Sequence, residues 1–168
     1  RALLALTALH GVPPTPHHLS NIADTTDIEP SLLTLVRQGL IVSDDSRYRL
    51  ADGVSDRLRR TSDLQPWLNP AIPYFTRWAE RHRRMANKLI EEAEALERVQ
   101  QYAAEMRRWG EVLRLARLLD SALVLGARWG SWAIVLERCL AAAKTTGDRG
   151  SEAWALHQLG TRALCLGE

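Results

Sequence analysis

Among the side chains able to do chemistry, histidine, cysteine and clustered acids come first. His10, His17 and His18 lie close together, yet no cysteine or carboxylate stands at ligand spacing beside them. They therefore read as exposed loop histidines and not as a metal site. His82 falls on an apolar stripe without a serine, cysteine or acid partner, and is expected to be partly buried and hydrogen-bonded. Cys139 and Cys165 sit on stripes where cysteine serves as a small hydrophobe. Glu91, Glu92 and Glu94 are crowded, but a general acid needs one desolvated carboxyl, and these read as an exposed helical turn. No Gly-x4-Gly-Lys-Ser/Thr phosphate loop occurs. These residues thus carry no catalytic, cofactor-binding or metal-binding role.

One surface pattern is sharper. Arg77, Arg81, Arg84 and Lys88 are spaced four, three and four apart, which on one helix lines a single edge. Such a strip suits an acidic partner or a neighbouring domain. It also suits a plain solvated face, with Glu80–Arg84 and Lys88–Glu92 as pairs one turn apart.

Of 168 residues, 46% are hydrophobic, and 22 Lys+Arg nearly balance 20 Asp+Glu. That composition fits a globular protein with a core and excludes a disordered acidic tail or a polybasic arm. No apolar run reaches membrane length. Two cysteines cannot build a disulfide framework, which makes a reducing cytoplasm the expected setting. The first residue is Arg1 and the last residues follow a helical pattern, so the chain reads as part of something longer.

Turn residues divide it. Residues 1–65 hold short segments. Ala2–His10 is an apolar helix stopped by Gly11 and two prolines, and Thr15-Pro16 starts a helix running to Ala23. Asp27 is expected to cap a third helix with Ile28, Leu32, Leu35 and Val36 on one face and Gly39 at its end. Leu40–Val42 and Arg47–Leu50 flank Asp44-Asp45-Ser46 as a β-hairpin, and Asp52–Arg60 is a further amphipathic helix. Three helices and a hairpin are the order of a winged helix. Its third helix carries only Glu29 and Arg37, and residues 1–70 hold seven basic against eight acidic residues, which argues against DNA binding.

Residues 66–73 contain Pro66, Pro70 and Pro73 and read as a linker or an irregular start of a helix. Residues 74–168 show five helical stripes. Phe75, Trp78, His82, Met85 and Leu89 predict one helix of about five turns, followed by stripes through Leu96–Met106, Val112–Leu123, Trp132–Ala143 and Leu156–Leu166. Short joints force antiparallel hairpins. The Leu119–Trp129 and Leu159–Gly167 segments align at a period of about 40, with Gly160 expected at a helix–helix contact. Leu156-x2-Leu159-Gly160-x2-Ala163-x3-Gly167 resembles the first helix of a tetratricopeptide repeat; a plain antiparallel bundle is the alternative. The predicted class is mostly α: a winged helix, then antiparallel hairpins opening a tetratricopeptide-like solenoid.

That combination, with Leu32–Ile41 and Tyr48-Arg49-Leu50 in the first part and Trp129–Gly167 in the second, resembles the middle of bacterial NB-ARC-type (STAND) signal-transduction ATPases. The resemblance implies a cytoplasmic regulatory piece of a signalling NTPase. Its partners would be an upstream nucleotide-binding domain of the same chain, which would take ATP or ADP, and a ligand or protein on the repeats. A hydrophobic-His-Asp triplet in that family closes on the nucleotide; here it matches Leu50-Ala51-Asp52, where Ala51 has no donor for a phosphate. The competing reading is a transcription regulator with a DNA-binding winged helix and effector-binding repeats.

Overall fold

A computed structural model describes residues 1–9, 14–45 and 47–167. The chain is mostly helical, with one small two-stranded antiparallel sheet and a series of helical hairpins. It divides into two compact units, residues 1–74 and 75–168.

Unit one holds α1 (Ala2–Ala8), α2 (Pro16–Ala23), α3 (Glu29–Arg37), β1 (Ile41–Asp44), β2 (Arg47–Leu50) and α4 (Val54–Thr61). The Thr15 hydroxyl accepts from the His18 amide, and Pro16 opens α2 where no donor is needed. Asp27 does not cap α3. The cap position is Ile28, without a side-chain bond, because burying Ile28 fixes where the helix starts. Gly39 ends α3 as expected: at φ +68° its amide bonds Val36 O and that of Leu40 bonds Leu35 O. β1 and β2 pair in the register Ile41–Leu50 to Asp44–Arg47, and Ala51 N donates to Leu40 O beyond them. The core comprises Ala5, Leu6, Leu9, Leu19, Ile22, Leu32 and Ile41. His10 and Ser46 lie outside the described residues.

The proline-bearing stretch 66–73 is helical. It forms the first turns of α5 (Gln65–His82), which contains Pro70 and Pro73. Each proline removes a donor, leaving the carbonyls of Pro66 and Asn69 without their usual partners. Both residues are exposed, where that costs little. Burial of Leu68, Ala71 and Ile72 then outweighs the sequence signal for a break.

Past residue 75, α5 does not run on through Met85 and Leu89 as the stripe predicts. The His82 imidazole Nδ1 donates to Trp78 O at 2.7 Å within the last turn, and the helix ends at His82. Met85 is exposed, and Leu89 is buried on a separate helix, α6 (Ala86–Glu91). Next come α7 (Ala93–Glu105), α8 (Trp109–Leu125), α9 (Trp129–Thr146) and α10 (Arg149–Leu166). Neighbours pack as α7 on α8, α8 on α9 and α9 on α10, with α7 also touching α9.

The last three helices begin 20 residues apart, and so do the joints before them. Arg107 (φ +56°), Ala127 (φ +51°) and Gly147 (φ +71°) each take the left-handed conformation. The following amides, of Arg108, Arg128 and Asp148, bond back to Ala103, Leu123 and Ala143 O. Burial repeats with the same step: Val112, Leu115, Ala116, Leu119, Ala122 and Leu123 in α8 recur as Trp132, Val135, Leu136, Cys139, Ala142 and Ala143 in α9. In α10 the pattern fails. Of its residues only Ala155 is buried, Leu156 and Leu166 are exposed, and a Cβ on Gly160 would meet nothing within 4 Å. Gly160 therefore makes no helix–helix contact, contrary to expectation.

Candidate functional site

The basic residues are not on one helical edge. Arg77 and Arg81 lie on α5, Arg84 in the turn after it, and Lys88 on α6. All four are exposed, but the end of α5 at His82 interrupts the spacing. The expected ion pairs are also replaced. Glu80 lies 3.4 Å from Arg114 of α8, and Lys88 pairs with Glu91 at 3.0 Å. Glu92 is buried at the junction of α6 and α7 and so does not belong to an exposed acidic turn; Glu94 pairs with Arg128 at 3.6 Å.

The triplet Leu50-Ala51-Asp52 sits where β2 gives way to α4. Leu50 is half-buried beside Ile41, the Ala51 amide is used by Leu40 O, and the Asp52 carboxylate is fully exposed, 3.8 Å from Arg49. Of the histidines, His18 is buried and not in a loop: its Nδ1 lies 2.8 Å from the Tyr74 hydroxyl, with the rings edge to face. His82 is half-buried, hydrogen-bonded as expected, and stacks on Trp78 at 4.2 Å. Among the described residues no group of three His, Cys, Asp or Glu side chains is placed to hold a metal ion. No helix among them is long and apolar enough to cross a membrane.

Cys139 is packed as expected, and burial pushes its thiol up to about 11, against the nearby Arg117 charge. Cys165 is exposed, on the part of α10 that lacks a covering neighbour.

A polar arrangement lies across α8, α9 and α10, and of its side chains the sequence marks only Trp132, as part of an apolar stripe. Asp120 of α8 accepts from Trp132 Nε1 of α9 at 2.8 Å through one carboxylate oxygen. Through the other it accepts from Gln158 Nε2 of α10 at 3.2 Å. Burial raises the Asp120 carboxyl above its usual value, while the Trp132 bond and the Arg117 charge hold it down. Arg117 lies over the Trp154 ring at 3.9 Å, a second link from α8 to α10. One step earlier, Gln100 of α7 donates to Val112 O at 3.3 Å and Val135 O at 3.2 Å. Arg138 of α9 reaches Glu97 O of α7 at 3.3 Å, and Arg162 of α10 reaches Trp129 O at 3.0 Å. These groups hold helices together; none brings a nucleophile, a base and an open cleft to one point. The signal that could have found them is the recurrence of Arg-Trp-Gly at 108–110 and 128–130.

No family model matches the chain, and no curated protein or solved structure gives a match.

Proposed function

We propose that the chain is a non-catalytic regulatory module, with unit one a winged helix and unit two the opening tetratricopeptide-like repeats of a bacterial, cytoplasmic NB-ARC-type signalling ATPase. A ligand or protein held on the repeats biases an upstream nucleotide-binding domain of the same chain. The observation that carries this reading is the set of side-chain ties spanning three consecutive helices, from Gln100 to α8 and α9 and from Asp120 to α9 and α10. Helices tied beyond their nearest neighbour move together, which a relay requires. The order of helices and hairpin in unit one supports the winged helix, and Ala51 in place of histidine makes the module a transmitter and not a nucleotide sensor. The exposed Arg77, Arg81, Arg84 and Lys88 offer charge to an acidic partner surface.

The DNA-binding reading gains nothing from the fold. The exposed residues of α3 are Glu29, Pro30, Ser31, Leu33, Thr34 and Arg37, a near-neutral set ill suited to phosphate. Calorimetric titration with ADP and with random duplex DNA at low salt tests the proposal. It predicts no binding of either; micromolar ADP affinity, or DNA affinity that falls steeply with salt, would refute it.

A further inference from the structure

The arginines of unit two are used unequally. Among the described residues, every arginine from Arg98 to Arg162 except Arg107 meets an oxygen or an aromatic ring. The side chains of Arg77, Arg81, Arg83 and Arg84 meet neither, and all four are exposed. The acids that could neutralise them are committed elsewhere. Between residues 75 and 92 the carboxylates are Glu80, Glu91 and Glu92. Glu80 turns to Arg114 at 3.4 Å, Glu91 holds Lys88 at 3.0 Å, and Glu92 is buried. Arg77 and Arg81 stand one turn apart on α5, and Arg83 and Arg84 occupy the turn that follows. That turn is held in place: His82 stacks on Trp78, and the Arg83 amide bonds Glu80 O. Met85 comes next in the chain, an apolar side chain with 52% of its surface exposed.

We propose that the end of α5 and the turn after it bind an acidic segment of a partner polypeptide. Arg77, Arg81, Arg83 and Arg84 take its carboxylates, and Met85 takes one apolar side chain beside them. Like charges a turn apart destabilise a helix, and carboxylates docked here relieve that repulsion. A guanidinium grips a carboxylate through two parallel N–H bonds, and here all four have that capacity unused. Methionine adapts its shape to varied apolar partners. A nucleic acid fits less well. Phe75 and Trp78 are buried and His82 is stacked on Trp78, so the stretch has no exposed ring on which a base could stack. Lys88, paired with Glu91, is left out of the site. This rests on the reading above in which exposed basic residues meet an acidic partner; the helix ties that carry the relay play no part in it.

The test is fluorescence anisotropy at low salt with a labelled helical peptide, titrated with the chain. The peptide carries glutamates at the spacing of Arg77, Arg81 and Arg84, and one leucine. A control peptide has glutamine for each glutamate, and a labelled oligouridylate probes for phosphate. The proposal predicts saturable binding of the acidic peptide, weaker by about tenfold or more for the control. Arg81→Gln with Arg84→Gln should cost about as much, and Met85→Ser roughly threefold, while circular dichroism stays that of the parent. Lys144→Gln with Arg149→Gln removes equal charge from exposed sites on α9 and α10, and should change the affinity by less than about twofold. Any of four results would overturn it: no saturable binding, equal binding of the glutamine control, unchanged affinity in the arginine or Met85 variants, or an equal loss from the α9 and α10 pair. Tighter binding of the oligouridylate would also overturn it and assign the arginines to phosphate. None of these outcomes alters the ADP titration, which tests the relay module by itself.

Discussion

Gln100 and Asp120 stand 20 residues apart on consecutive helices, and each ties its own helix to the two that follow. They do so with opposite polarity. Gln100 donates to backbone carbonyls, whereas Asp120 accepts from side chains. The difference sets what each contributes. The Gln100 Oε1 is buried without a partner, and the carbonyls its amide reaches lie within helices that already supply donors. Asp120 satisfies the indole of Trp132, which has 2% exposure and little access to water.

Substitution should expose that asymmetry. Asp120→Ala orphans the buried Trp132 N–H and is expected to cost ~1–3 kcal/mol. Gln100→Leu removes an unsatisfied acceptor together with its bonds, and is expected to lie within about 1 kcal/mol of the parent. Urea unfolding of both variants measures this directly, and a larger loss for Gln100→Leu would refute the assignment.

The raised Asp120 carboxyl gives a pH dependence with a definite sign. Its folded value exceeds the unfolded 3.8, so its contribution is fully present below that pH and is lost as pH rises through the folded value. The stability of the parent relative to Asp120→Asn should therefore be greatest near about pH 3 and fall towards neutrality. Urea midpoints across that range check it; a difference that grows with pH would contradict it.

The equivalent joints predict opposite effects from opposite substitutions. Gly147→Ala forces a Cβ into the left-handed region and should cost ~1 kcal/mol. Ala127→Gly relieves that strain on an exposed residue and should be neutral or stabilising by about 0.5 kcal/mol. Thermal melts of both variants decide the point.

Much of this architecture was legible, and what was hidden had physical reasons. Thr15-Pro16 placed α2, Gly39 placed the end of α3, and the stripes of α8 and α9 named their buried faces. The break after His82 is not legible, because neither glycine nor proline marks it. The joints are legible, but in two of the three the left-handed residue is not, because Arg107 and Ala127, and not glycine, occupy it. Asp120 carries no local signal in the sequence, since its partners are 12 and 38 residues away. The stripe on α10 is apolar, but periodicity cannot say whether a neighbour covers it.

Gly160→Leu should stabilise the chain, not overpack it. With no atom near the new side chain, the change mainly removes the low helix propensity of glycine, a gain of about 0.5–1 kcal/mol. A melting temperature lowered by several degrees would mean that Gly160 faces a neighbour after all.

The cysteines should separate in a labelling experiment. Cys165 is exposed and should react readily with a maleimide, whereas Cys139 is buried with its thiol pushed up to about 11. At neutral pH the account predicts one labelled thiol in the folded chain and two in urea. Rapid labelling of Cys139 in the folded chain would contradict its packing.

The central claim is that α7, α8 and α9 act as one body because their polar ties reach beyond nearest neighbours. Native-state hydrogen exchange tests it most directly. The slowest amides of these three helices should share one opening free energy and one denaturant dependence. If α9 opens independently while α7 and α8 stay protected, the ties do not couple the helices and the relay is wrong.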